Sequence, residues 1–234
     1  MEIKNLTIIG SSHIAKQSLE EVEKIITKLK PIVVAVELDR KRYDALISGE
    51  KGSIRFKNIK VIGLKGYLFA LLGSYAEKKL GKIVGVSPGS EMLKAIEIAK
   101  ANGAKVALID QDIVITLRRF SQELTWKEKW RFFADLIKGI LMPKREMKKL
   151  GIEEIDLTKV PEKEIVKKLT DYVKQRYPNV HKVLIEERNT IMANRLLKII
   201  EYYEEEKIVA VVGAGHVDEI AHIIKQHLNK EKRE

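Results

Sequence analysis

Ile208-Val209-Ala210-Val211-Val212-Gly213-Ala214-Gly215-His216-Val217 repeats in outline a stretch near the other end of the chain, Leu6-Thr7-Ile8-Ile9-Gly10-Ser11-Ser12-His13-Ile14. Each is an unbroken apolar run that stops at a glycine, crosses two small residues and reaches a histidine. Runs of Val and Ile bounded by turn residues suit parallel strands that are covered on both faces. Two more runs have the same form: Ile32–Val36 ends at Glu37, and Val106–Ile109 ends at Asp110. Ile59-Lys60-Val61-Ile62 and Ile83-Val84-Gly85-Val86 are weaker versions.

Amphipathic helical patterns lie between these runs. Leu19, Val22, Ile26 and Leu29 recur at helical spacing, as do Met92, Ala95, Ile96 and Ala99, and later Val217, Ile220, Ala221, Ile224 and Leu228. Gly103 stands where a helix-ending glycine belongs, just before the run at Val106. From about Thr125 to Glu206 no strand is evident, and helical patterns run over Trp126–Leu141, Pro161–Tyr177 and Val183–Glu206, punctuated by Pro143, Gly151, Pro161 and Pro178. The expected fold is therefore α/β: a mostly parallel central sheet flanked by helices, with a helical insertion at about 125–206 in the C-terminal half. The first and last strands are expected to share one domain spanning 1–234.

The 234 residues are 45% hydrophobic and 33% charged, the balance of a globular chain able to bury a core. Cysteine is absent, which excludes disulfides and thiolate metal sites and suits a reducing, cytoplasmic setting. Abundant Lys, Glu and Ile give a thermophile-like composition. The net charge of +11 would suit phosphates or anionic surfaces. The lysines, however, alternate with glutamates along helix faces, and no basic run carries interleaved aromatics, so no nucleic-acid partner is expected. Met1–Leu6 leads directly into a strand-like run, so no signal peptide is expected, and no uninterrupted apolar stretch of about 18 residues offers a membrane span.

In an open parallel sheet, ligands bind beyond the carboxyl ends of the strands. There the runs deliver His13, Glu37, Asp110, Asp112 and His216, all residue types that bind metals or move protons. Gly10 and Gly213 would let the backbone turn sharply and approach a ligand closely. Two bland alternatives stand beside this reading. Asp110 or Asp112 would cap a helix starting at Ile113, and Glu37 would pair with Arg40 or Arg42 at the surface. Ile185, Arg188, Met192, Arg195 and Ile199 form one helical stripe, and an arginine on an apolar stripe needs an anionic partner. The strand-end acids would supply it for Arg188, while Arg195 is better placed to snorkel to water. His181, His222 and His227 read as loop, surface or packing residues. Gly85–Glu91 lacks the ending of a phosphate loop, and no dinucleotide fingerprint or nucleophile elbow is present, so no nucleotide cofactor is expected.

Ile9–Ile14, Val34–Tyr43, Gly89–Met92, Leu108–Ile113, Glu186–Arg188 with Met192-Ala193, and Val212–Val217, in this order over nearly the whole chain, resemble the TraB / PrgY (pheromone shutdown) family. The resemblance implies a fold shared with the Tiki proteases, erythromycin esterases and ChaN-like haem-binding lipoproteins. It also implies a site of two Gly-x-x-His motifs, a glutamate and an arginine. By position these are His13, His216, Glu37 and Arg188, with Glu187 beside the arginine. Arg42, Glu91, Asp110, Asp112, Gly10 and Gly213 would serve substrate binding. The chain departs from the family at Gln111, where Arg is expected, and at Asn189, where Asp is expected, so neither enters the site read from sequence. Many relatives are expected to carry a C-terminal membrane region; with the sequence ending at Lys230–Glu234, the expectation is that this chain lacks that region or was cut before it.

Two functions follow as expectations. One is a hydrolase of a peptide or similar small substrate, with His13, Glu37 and His216 as ligands to one divalent metal (Mn, Zn or Co) or as general bases, and Arg188 steadying the oxyanion. The other is a non-catalytic domain that captures a peptide or anion in the same crevice. The basic, aromatic segment 126–149 offers a contact for a membrane surface or a protein partner, with an ordinary packed helix as the plainer reading. A homo-oligomer is also compatible with the sequence.

Overall fold

Side chains alternate between the two faces of a strand, so a run of consecutive Val and Ile must be covered twice. The computed structural model describes residues 1–11, 16–48, 90–141 and 163–231 and shows that double cover. Five strands form one sheet: β1 (Glu2–Ile3), β2 (Leu6–Ser11), β3 (Val33–Val36), β4 (Lys105–Leu108) and β5 (Ile208–Gly213), in the order β1-β2-β5-β3-β4. All pairings are parallel except β1 with β2. The last strand therefore lies between the first two long ones, with Ser11 opposite Gly213 and Val36 opposite Val211.

Ile9, Val34, Val36, Val209 and Val211 pack on one face against α1 (Lys16–Leu29) and α3 (Ser90–Ala101), through Val22, Ile26, Met92 and Ala99. Ile8, Val33, Ala35, Ala210 and Val212 pack on the other against α8 (Glu187–Tyr202) and α9 (Val217–Glu231), through Met192, Leu196, Ile220 and Ile224. Thus α8, within the stretch read as an insertion, forms part of a layer that covers the sheet. Gly103 ends α3 with φ of 73°, and Ala104 N–H closes the turn onto Ala99 at 2.8 Å, as the helix-ending glycine requires.

The remaining helices are α2 (Arg40–Ile47), α4 (Ile113–Glu123), α5 (Trp126–Leu141), α6 (Lys163–Arg176) and α7 (Pro178–His181). A π-helical turn, Lys182–Glu186, joins α7 to α8, so the long helix expected from Val183 to Glu206 is interrupted at its start and ends at Tyr202. No strand occurs in 125–206 among the described residues. The weak strand candidates at 59–62 and 83–86 and the turn residues Pro143, Gly151 and Pro161 lie outside the description, as does the Gly85–Gly89 part of the rejected phosphate loop.

Candidate functional site

Because β5 separates β2 from β3, the carboxyl ends of all three strands meet at one edge of the sheet. Glu37 follows β3 directly and is 3% exposed. One of its oxygens accepts a hydrogen bond from Gly213 N–H at 2.6 Å, tying the end of β3 to the end of β5. The other accepts from Arg188 Nη2. Arg188 also donates from Nε and Nη2 to the two oxygens of Asp110, each at 2.9 Å, in the forked geometry that suits guanidinium and carboxylate. Arg42 donates to the same Asp110 carboxylate at 3.1 Å. Burial opposes the charge on Arg188, but Glu37 and Asp110 outweigh it and raise its pKa above the usual arginine value.

His216 ends the short 3-10 turn after β5 and is 6% exposed. Its Nδ1 lies 2.6 Å from Asn189 Oδ1; an amide oxygen accepts, so Nδ1 is the donor, and a neutral imidazole then carries its lone pair on Nε2. That nitrogen faces Glu37 at 3.4 Å and Arg188 Nη1 at 3.5 Å. Nη1 makes one further bond, to the Leu184 carbonyl at 3.2 Å in the π-helical turn. A basic nitrogen and a cationic donor thus stand side by side, each fixed from behind by an acid or an amide.

Gly10 allows a close approach, but to protein. A Cβ there would come within 2.9 Å of Val217 Cγ2 and 3.3 Å of the Ala214 backbone, so the glycine lets the two turns pack together. Gly213 has φ of −59°, open to any residue, so its part in the site is its N–H. A cavity of about 920 Å³ adjoins these turns and is lined by Gly10, Ala214, Gly215, Ile185 and Thr190 among others.

Several expected residues go elsewhere. Asp112 caps α4 through Val114 N–H at 2.8 Å and pairs with Lys41 at 2.8 Å, so its capping alternative is the observed one. Glu37 pairs with neither Arg40 nor Arg42; Arg40 binds Asp44 one turn along. Glu187 turns to Arg119 at 2.7 Å, away from Arg188. Glu91 is buried at the start of α3. Arg195 is exposed, as expected, and also donates to the Asp110 backbone carbonyl. His181 lies in α7, not in a loop, 5% exposed and 3.1 Å from Glu186. His13 is outside the described residues. Asn189 is the residue that the sequence reading set aside and the structure places in contact with the site. It follows Arg188 on a helix face that also buries Met192 and Ala193, and that spacing was its available signal.

Among the described residues no three His, Asp or Glu side chains are arranged to hold a metal. Glu37 and His216 are two donors in contact, yet both Glu37 oxygens already receive N–H groups, one from a guanidinium. By themselves these residues do not fit a divalent ion, which would compete with Arg188 for the carboxylate.

An α/β sheet with a buried acid–arginine–histidine group at a three-strand junction is the class that this geometry defines. A sequence profile of the TraB/PrgY/gumN family matches residues 2–232, and the chain belongs to that family. It is 40% identical over 227 residues to an uncharacterised protein of Methanocaldococcus jannaschii, covering 95% of this chain and 54% of that one. It is 24% identical over 240 residues to the TraB domain-containing protein of Homo sapiens and 24% identical over 234 residues to that of Mus musculus, covering 90% of this chain and 60% of each relative. The chain therefore spans little more than half the length of these relatives.

Proposed function

We propose that this chain is a hydrolase acting on a peptide or a similar small substrate, with His216 as general base and Arg188 as the oxyanion-stabilising donor. The contact between His216 Nε2 and Arg188 Nη1 carries the reading, because it sets a proton acceptor beside a fixed cation at the strand ends. Asn189 fixes the imidazole tautomer, so Nε2 is the nitrogen that would take a proton from the attacking water. Glu37 would balance the imidazolium that results. Two of the three guanidinium nitrogens are committed to Glu37 and Asp110; Nη1 gives one N–H to the Leu184 carbonyl, and its other N–H, on the His216 side, would meet the charge developing on the scissile oxygen.

His13 belongs to this proposal through the matching Gly-x-x-His motif, as a second base or as the donor that would complete a metal set with Glu37 and His216. Since the described donors alone do not fit a divalent ion, no step here is routed through one. The test is a mixture of short peptides incubated with the purified chain and followed by mass spectrometry, with and without Mn, Zn or Co. Products accumulating beyond one equivalent of protein, and lost in His216→Gln and His13→Ala, support hydrolysis. Stoichiometric retention of an intact peptide would instead make this a capture domain.

A further inference from the structure

The N-terminal half of helix α5 presents its polar side to the protein and tryptophans to the outside. Glu128 is 3% exposed and accepts from Asn179 N–H at 2.9 Å and from the Thr125 hydroxyl at 3.0 Å. Asp135 binds Arg176 at 2.6 Å and the Tyr177 hydroxyl at 2.6 Å, and Arg131 donates to the Arg176 carbonyl at 2.6 Å. Both acids of the helix are thereby turned inward and engaged. Trp126 and Trp130, one turn apart, are 69% and 68% exposed. Lys127 and Ala134 are exposed beside them, and Lys138, also exposed, lies 3.8 Å from Asp135.

We propose that α5 docks the protein on an anionic lipid surface, with the Trp126 and Trp130 rings inserted at the headgroup boundary and the flanking lysines against lipid phosphates. Indoles are amphipathic and favour that boundary, where the apolar ring is shielded and the N–H stays solvated. Asp135 is shared between Lys138 and the stronger pair with Arg176, and Glu128 is buried, so the outward face keeps a positive balance that an anionic surface attracts and a second copy of it repels. None of these residues belongs to the strand-end site, so the inference is independent of the hydrolase reading.

Trp126 and Trp130 are the only tryptophans in the chain, so intrinsic fluorescence reports on this helix alone. The experiment mixes the full chain with vesicles of phosphatidylcholine or of phosphatidylcholine with phosphatidylglycerol, and follows emission wavelength and co-sedimentation. A blue shift and pelleting with the anionic vesicles, reversed by high salt and absent with phosphatidylcholine alone, is the expected result. Lys127→Glu with Lys138→Glu should weaken partitioning at least about ten-fold, since each basic residue near such a surface contributes roughly a five-fold factor. Trp126→Ser with Trp130→Ser should abolish pelleting while circular dichroism and the unfolding midpoint stay in place. No shift with anionic vesicles would overturn the proposal. So would undiminished binding by both double variants, a lipid-free shift that grows with protein concentration, or a shift with polyglutamate and none with vesicles.

Discussion

Arg188 illustrates how a buried charge is made tolerable. Glu37 and Asp110 supply two negative charges and Arg42 a second positive one, so the four groups sum to zero in a region where Glu37 and Asp110 are each 3% exposed. Removing one partner strands the others, and that loss costs more than the pair contributes. Arg188→Met should lower unfolding free energy by about 3–5 kcal/mol in urea titrations. A change below about 1 kcal/mol would mean that the guanidinium is not integral to the fold. His216 is similarly embedded, so His216→Ala would take away the ring nitrogen that Asn189 Oδ1 contacts. Glu37, Asp110, Arg188 and His216 were legible because each follows a strand run or breaks an apolar stripe. Asp112 and Glu187 share those residue types but had closer partners in Val114 N–H and Arg119, which a one-dimensional reading cannot rank. Asn189 stands where the family resemblance implies Asp and so does not enter the site read from sequence; its contact with His216 exists only in the fold.

Among the elements, those with a clean hydrophobic period were visible and those fixed by caps or length were not. α5 runs over Trp126–Leu141 as its spacing predicts. α2 has no buried residue, and its start depends on Asp39, which accepts from Lys41 and Arg42 N–H at 2.9 and 3.2 Å. β1 has only two residues, too few to show alternation, and the π-helical turn has no sequence period of its own. The junction of α5 with α6 and α7 depends on Asp135, whose carboxyl is held down to about 2 by its hydrogen bonds from Arg176, against the opposing effect of burial. A depressed folded pKa adds stability that is complete above the unfolded value of about 4 and fades as pH falls toward about 2. Asp135→Asn should therefore cost about 1–2 kcal/mol at neutral pH, after discounting for partial solvent screening, and almost nothing near pH 2. A penalty equal at both pH values would show that the ion pair is not its source.

The order β1-β2-β5-β3-β4 makes the two ends of the chain mutually dependent. The expectation that first and last strands share a sheet came from their matching runs. That the last inserts between β2 and β3, instead of adding at an edge, depends on long-range pairing that no local pattern encodes. A chain ended after Glu206 would lose the strand that pairs with both β2 and β3, and with it the Gly213 and His216 half of the site. It should lack a cooperative unfolding transition; cooperative melting by circular dichroism would show that the remaining strands form a sheet unaided. The same insertion sets Gly10, at the end of β2, against Ala214 and Val217 beyond the end of β5. The cluster of Glu37, Arg188 and His216 is thus a product of the whole sheet.

Whether that cluster turns a substrate over is the central question, and the rate of peptide cleavage by the intact chain and by His216→Gln answers it most directly. Glutamine retains a hydrogen-bonding amide but cannot serve as a base, so folding can be checked in parallel by the unfolding midpoint. We expect multiple turnovers by the intact chain and a loss of kcat of about a hundred-fold or more in the folded variant, the range that general-base catalysis supplies. Equal rates in both, or binding of every tested peptide without cleavage, would contradict the account.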